Sequence, residues 1–259
     1  MLRLLDLGTV SGLRSQTWWH AVAETMQPGD APVLALMTPG EPYVSIGFHR
    51  RTGELDLAAC AGRGLGIFRR RAGGGPVLCD DGQLFFQLIA PTSSIPAALD
   101  RAWQRALGPA VDAFRSLGID ARLAPGNDMM CGDRKISGTG AAQIGEASVF
   151  VGNVIFDFDY DEMADILALP PHAKSEAARL MRRYLGPVSD VAGRPVTREE
   201  AAGALIASYG DAFGGMIPSS PTAIEAQAAA RLDDRFSDPA WVFAERAPAP
   251  PRVKIRGGV

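Results

Sequence analysis

The chain has 259 residues, 47% of them apolar and 21% charged, with 26 basic against 29 acidic side chains and a formal charge of −3. These proportions exclude a disordered chain and leave room for one large domain or two small ones. The charge supplies no basic field for nucleic acid or anionic lipid, and no apolar run approaches the ~20 residues that span a bilayer.

Helical spacing over residues 15–26 predicts a first helix, with Ser15 as its N-cap and Pro28-Gly29 past its end. Residues 32–37 read as a short buried strand closed by Pro39-Gly40, and residues 43–48 as a second strand rich in β-branched and aromatic types. A short helix over 55–61 ends at Gly62. Residues 65–70 form a strand running into Gly73-Gly74-Gly75-Pro76. Extended structure resumes at 77–79 and turns at Asp80-Asp81-Gly82 into an alternating strand over 83–89, giving a hairpin-like unit around the glycine loop. Residues 95–117 carry apolar residues at helical spacing and predict a long amphipathic helix on a sheet. Segments 122–123, 128–131, 134–140 and 148–157 form a strand-rich block with a hairpin turn at Gly132-Asp133. Helices follow over 160–167, 198–213 (begun by Thr197) and 224–236, while 172–195 is polar and Arg-rich with a loop at Gly186-Pro187. The pattern is α+β with one main domain over 1–245 and a Pro-rich tail over 246–259.

Cys60, Cys79 and Cys131 make neither a disulfide framework nor a C-x-x-C pair, and the N-terminus turns acidic too soon for a signal peptide. The expectation is a cytoplasmic protein with reduced thiols. Of the 26 basic residues only Lys135, Lys174 and Lys254 are lysine. In such an Arg-biased chain, a lysine marks a place where a compact, mobile ammonium is wanted.

Two segments carry chemistry. In Arg69-Arg70-Arg71-Ala72-Gly73-Gly74-Gly75-Pro76-Val77, three glycines allow close backbone approach to a ligand, beside three arginines. Alternation along a strand sets Arg70 opposite to Arg69 and Arg71. No Gly-Lys-Ser/Thr follows, so this is not a Walker loop. In the second segment, 127–140, the turn at Gly132-Asp133 sets Asp128 and Lys135 on neighbouring strands, so that one acid and one ammonium meet near one pocket. Ser137, Gly138, Thr139 and Gly140 leave room there for a ligand.

Together, "RRRAGGGPV" and "NDMMCGDRKISGTG" resemble the two main motifs of the lipoate–protein ligase and octanoyltransferase family, relatives of biotin–protein ligase. Residues 42–51, 149–167, 170–184 and 230–243 resemble other family segments in collinear order. The resemblance implies a class II aminoacyl-tRNA synthetase/biotin ligase-like catalytic domain, with a mixed central sheet, a small sheet and flanking helices. It also implies activation of lipoate or octanoate by ATP with Mg²⁺ and transfer to a lysine of a lipoyl-domain or H-protein-like acceptor. Lys135 matches the family's catalytic lysine, holding carbonyl and phosphate oxygens. Gly73, Gly74, Gly75 and Val77 match the acyl and phosphate loop, and Arg70 is the candidate phosphate contact. Asn127 and Asp128 match an adenylate-side pair. Ser137, Gly138 and Thr139 follow the lysine, and Lys174 matches a lysine of the closing segment. No resident metal site, nucleic acid or membrane is implied.

The departures point to alternatives. Ala72 stands where the family often has serine, and Cys79 and Val151 stand where it often has histidine. Transferases of the family use a cysteine about a dozen residues before the motif lysine; here that region, 121–125, has none. The length holds no C-terminal accessory domain, which leaves a ligase with a separate accessory chain, a compact ligase or a transferase. A non-catalytic acyl-binding member is the third reading. His20 is expected to be structural or at the surface, and Cys79 and Cys131 to be small buried or turn residues.

Overall fold

The computed structural model describes residues 1–125 and 128–244. The chain opens on a strand that the sequence reading left unassigned, β1 (Leu2–Val10), followed by α1 (Gly12–Thr25) and β2 (Val33–Pro39). This is a β-α-β crossover, and β1 and β2 pair in parallel. The cap of α1 is Ser11, whose side chain accepts the Arg14 N–H, rather than Ser15. Ser15 lies within the helix, where its hydroxyl donates to the Gly12 carbonyl.

Next come β3 (Tyr43–Ile46), α2 (Leu57–Gly62), β4 (Gly66–Arg69), β5 (Val77–Cys79) and β6 (Gln83–Pro91). The hairpin expected around the glycine loop does not form. β3 lies between β4 and β5, parallel to the first and antiparallel to the second, in a small separate sheet. Helix α3 (Leu99–Ser116) begins later than its apolar spacing suggests. Pro96 disfavours helical backbone at Ile95, so a single 3₁₀ turn and an extended step precede it.

The second half holds β7 (Ala121–Leu123), β8 (Met129–Cys131), β9 (Arg134–Ser137), β10 (Gly140–Ile144) and β11 (Ala147–Ile155). Then follow α4 (Tyr160–Asp165), α5 (Pro171–Tyr184), α6 (Val188–Ala192), α7 (Arg198–Ala212), β12 (Met216–Pro218), α8 (Ala223–Ser237) and α9 (Pro239–Val242). The expected turn at Gly132-Asp133 joins β8 to β9, with Gly132 at φ 55°. The polar, Arg-rich segment, to which the sequence assigns no element before its loop at Gly186-Pro187, forms α5, begun by Pro171 at its first turn and built from good helix formers. The Pro-rich tail expected over 246–259 lies outside the described residues.

Six strands form a mixed sheet in the order β10-β11-β6-β2-β1-β12. Its two faces separate by the period-two rule. Leu84, Phe86 and Leu88 of β6 pack with Trp103, Leu107 and Phe114 of α3 and Leu205 and Tyr209 of α7. Phe85 and Ile89 face the other way, with Trp19 and Val22 of α1. Helix α8 closes that side by packing Ala228, Leu232 and Phe236 against Ala21. Both faces are therefore covered, and every residue of β6 is buried. Among the described residues no helix is long and apolar enough to cross a membrane.

Gly152 of β11 sits directly against this core. A Cβ there would lie 2.2 Å from the Phe86 ring, in register with it across the sheet. Gly152→Ala should cost about 1–3 kcal/mol by overpacking, read by denaturant unfolding. Phe86→Leu, which removes the obstructing ring, should recover part of that loss in the double variant.

Candidate active site

The core-facing alternation of β6 leaves Gln83, Phe85 and Gln87 on the opposite face, where they floor a cleft. Val151 and Asn153 of β11 extend the floor. Trp19 and Gln16 of α1 and Val77 and Cys79 of β5 contribute to the walls. Gly73, Gly74 and Gly75 border it on one side, and Lys135 and residues 138–140 on another. The cleft thus has an apolar body, with Trp19, Phe85, Val77 and Val151, and one ammonium.

The glycine loop is held by its neighbours. Arg70 donates from Nη1 to the Ser45 carbonyl (2.9 Å) and Ser45 Oγ (3.1 Å), from Nη2 to the carbonyls of Gly73 (2.8 Å) and Gly75 (2.9 Å), and from Nε to Gly73 (3.1 Å). All five N–H groups of the guanidinium are thereby engaged within the protein. Arg70, the candidate phosphate contact, ties the loop to β3. Arg69 is buried beneath and donates to the carbonyls of Gly47, Phe48, Arg50 and Val242. Arg71 pairs with Glu24 of α1 at 2.6 Å. The three arginines thus diverge, and Arg70 alone of them borders the cleft.

At another edge of the cleft, the β8–β9 hairpin brings Lys135 Nζ to 2.9 Å from Asp128 Oδ1. Their side chains are 24% and 33% exposed, so the pair stands at a surface opening. Tyr184, at the end of α5, donates to Asp128 Oδ2 at 3.5 Å, and the Gly186 N–H bonds the Lys135 carbonyl. Ser137 and Gly138 are taken up by Asn153, whose Oδ1 accepts the Gly138 N–H at 2.8 Å and whose N–H bonds Ser137 Oγ at 3.1 Å. Asn153 Nδ2 donates to Gln83 Oε1, and Gln83 Nε2 to the Leu78 carbonyl. One polar chain therefore spans the segment after Lys135, β11, β6 and β5.

Residues 13–210 match the lipoyl protein ligase A/B catalytic domain. The chain belongs to this family. It is 27% identical over 269 residues to the octanoyltransferase LipM of Kyrpidia tusciae, covering 93% of this chain and 98% of that protein. It superposes on a bipartite lipoate protein ligase from Thermoplasma acidophilum, studied with its E2 lipoyl domain, at TM-score 0.86 and 26% identity over 95% of this chain and 98% of that one. It also superposes on a lipoate-protein ligase A bound with ATP at TM-score 0.80 and 25% identity, over 94% and 99% of the two chains. The mixed sheet with its small sheet and flanking helices is the lipoate ligase fold.

Within that fold, Lys135, Arg70, Gly73, Gly74, Gly75, Val77, Gly138 and Thr139 border the cleft. Asp128 reaches it through Lys135, and Ser137 is buried behind it. Lys174 stands apart, bonded to the Asp165 carbonyl at 2.6 Å and paired with Asp56 at 3.4 Å. Asn127 lies outside the described residues. Sequence reasoning missed Gln16, Gln83, Gln87 and Asn153. The signal for two of these was present: glutamines four apart on a strand share one face, inside an otherwise apolar run. Cys79 lines the cleft, but burial pushes its thiol up to about 12. Ala72 is buried under the loop.

His20 is structural. It is buried, with Nδ1 2.6 Å from the Gln16 carbonyl and Nε2 accepting the Arg71 N–H at 3.1 Å. That pair of contacts places its proton on Nδ1. Burial drives its pKa down to about 3, with Arg71 and Arg235 adding to the fall. Between about 6.5 and 3 the unfolded chain binds a proton that the folded chain refuses, so stability falls as pH falls through that window. From pH 7.5 to 5 the loss is about 2 kcal/mol. Urea unfolding near pH 7.5 and near pH 5 should show that extra loss in wild type and its absence in His20→Gln.

Proposed function

We propose that this chain is a lipoate–protein ligase that joins lipoate or octanoate to ATP and passes the acyl group to a lysine of a lipoyl-carrier protein. The observation that carries this reading is the Lys135 ammonium, held by Asp128 at the edge of an apolar cleft bordered by three glycines. The apolar body accepts the acyl chain. Lys135 meets the carboxylate and the α-phosphate, whose charges repel one another until a cation lies between them. A carboxylate oxygen bonds to phosphorus as pyrophosphate leaves; the acceptor amine then bonds to the acyl carbon as AMP leaves and the amine loses its proton. Asp128 keeps the ammonium positioned before substrate arrives. Mg²⁺ travels with the nucleotide, bound through its phosphates. Gly73, Gly74 and Gly75 give the backbone room that the acyl-phosphate junction requires.

The acceptor in this reading is a lipoyl domain or an H-protein-like carrier. A separate accessory chain fits the likeness to a bipartite ligase.

A second reading, octanoyl transfer from a carrier protein without ATP, is favoured by the likeness to the Kyrpidia tusciae octanoyltransferase over almost its whole length. Against it stands the thiol chemistry. Cys79 is the one cysteine bordering the cleft among the described residues, and its thiolate is strongly disfavoured. A nucleophilic cysteine needs the opposite environment.

Lipoate-dependent exchange of pyrophosphate into ATP, with Mg²⁺ present, tests the ligase. Wild type should catalyse exchange, and Lys135→Ala should lower it about a hundredfold or more with the fold intact. Absence of exchange with lipoate and octanoate, while octanoyl-carrier transfer proceeds without ATP, would replace this reading with the second.

A further inference from the structure

The acyl cleft contains a feature that a plain hydrocarbon chain leaves unanswered. Gln16 and Gln87 both line it, and they are only 5% and 3% exposed. The Oε1 atom of each is buried with no hydrogen-bond partner. A buried, unsatisfied amide oxygen costs about as much as a lost hydrogen bond, so two beside one cavity point to something that fills it. Gln16 is held on its other side, where Nε2 donates to the Tyr43 hydroxyl at 2.5 Å and Tyr43 in turn shares a hydrogen bond with Ser15 Oγ at 2.8 Å. Its amide is therefore fixed in place rather than free to seek another partner.

Gln87 lies away from the reacting end, and Gln16 lines the same cleft. Gln83, bonded to Asn153, belongs to the polar chain that reaches Gly138 beside Lys135. Gln87 is four residues further along the same strand, about 13 Å at the rise of antiparallel β-structure, and on the same face. Between them Phe85 floors the cleft. A carboxylate at Lys135 and a medium-length chain over Phe85 bring the distal carbons toward Gln87.

We propose that Gln16 and Gln87 select an acyl substrate that carries a hydrogen-bonding group near its distal end, a hydroxylated medium-chain carboxylic acid being the class that fits. A hydroxyl donates to an amide oxygen and also accepts from an amide N–H, so it satisfies a glutamine in either orientation. An alkyl terminus displaces water from both amides and returns nothing. The assignment rests on the reading of this cleft as the acyl site; a plain octanoyl chain enters the same cleft but leaves both amide oxygens unpaired, and so binds more weakly.

The test is calorimetric titration of the full chain, without nucleotide, with octanoate and with ω-hydroxyoctanoate. Wild type should bind the hydroxy acid about tenfold more tightly or better. Gln87→Leu, and separately Gln16→Leu, should shift the preference toward octanoate. Thermal unfolding of unliganded Gln87→Leu should be unchanged or raised, since the substitution removes an orphaned amide at similar volume. Equal or tighter binding of octanoate by wild type would overturn the proposal, as would a hydroxy-acid preference that survives both substitutions. Failure of either acid to bind would overturn it together with the acyl reading of the cleft. Acid binding with the expected preference but no pyrophosphate exchange would contradict only the ATP-dependent step.

Discussion

Two stretches of backbone touch where no side chain fits between them. A Cβ on Gly47 would lie 2.1 Å from the Gly74 carbonyl oxygen. Gly74 itself holds φ at +99°, a conformation open to glycine. The Arg70 guanidinium closes this contact from beneath, its five N–H groups spread over Ser45, Gly73 and Gly75. A peptide plane carries its C=O and the following N–H on opposite sides, so drawing the Gly73 carbonyl onto Arg70 turns the Gly74 N–H away from it. The glycine loop is thus a shaped wall rather than a slack turn.

The remaining walls come from regular structure. Positions 83, 85 and 87 of one strand and 151 and 153 of its neighbour point to the cleft because 84, 86, 88, 150 and 154 are committed to the core below α3. The six-stranded sheet thereby sets the floor, and the hairpin of β8 and β9 sets the lysine. Asn153 joins the two, holding Gly138 to β11 and Gln83 to the same chain of bonds. A site placed this way has its polar groups locked by second partners before substrate binds, which is what electrostatic stabilisation of a developing charge requires.

Several of these features were legible in the sequence. The turn at Gly132-Asp133 was enough to bring Asp128 and Lys135 together, because hairpin geometry fixes which residues are neighbours. Thr197 was legible as a cap because its hydroxyl accepts the Glu200 N–H. Other features depend on distant partners. β1 was unreadable because Leu2, Leu4 and Leu5 take their meaning from parallel pairing with β2 and β12. Helix α5 was missed because its inward side is mostly alanine, with Ala178 alone fully buried and Met181 packed partly against the core. At Arg70 a sequence shows a charge beside glycines and says nothing of the carbonyls that surround it. The interposed β3 likewise converted an expected hairpin into a three-strand sheet, a pairing of residues more than thirty positions apart for Tyr43 and Cys79.

The brace at Arg70 is the point on which this account can be tested most directly. Arg70→Lys keeps a positive charge but has three donors on one atom in place of a planar fork, too few to hold all the same oxygens. Titration of the variant with lipoate alone, and separately with ATP alone, divides the two roles. The account predicts that lipoate binding weakens about tenfold or more, because the wall of the acyl cleft loosens, with ATP binding weakened alongside it. Unchanged lipoate affinity with a selective loss of ATP affinity would contradict it and return Arg70 to the phosphates.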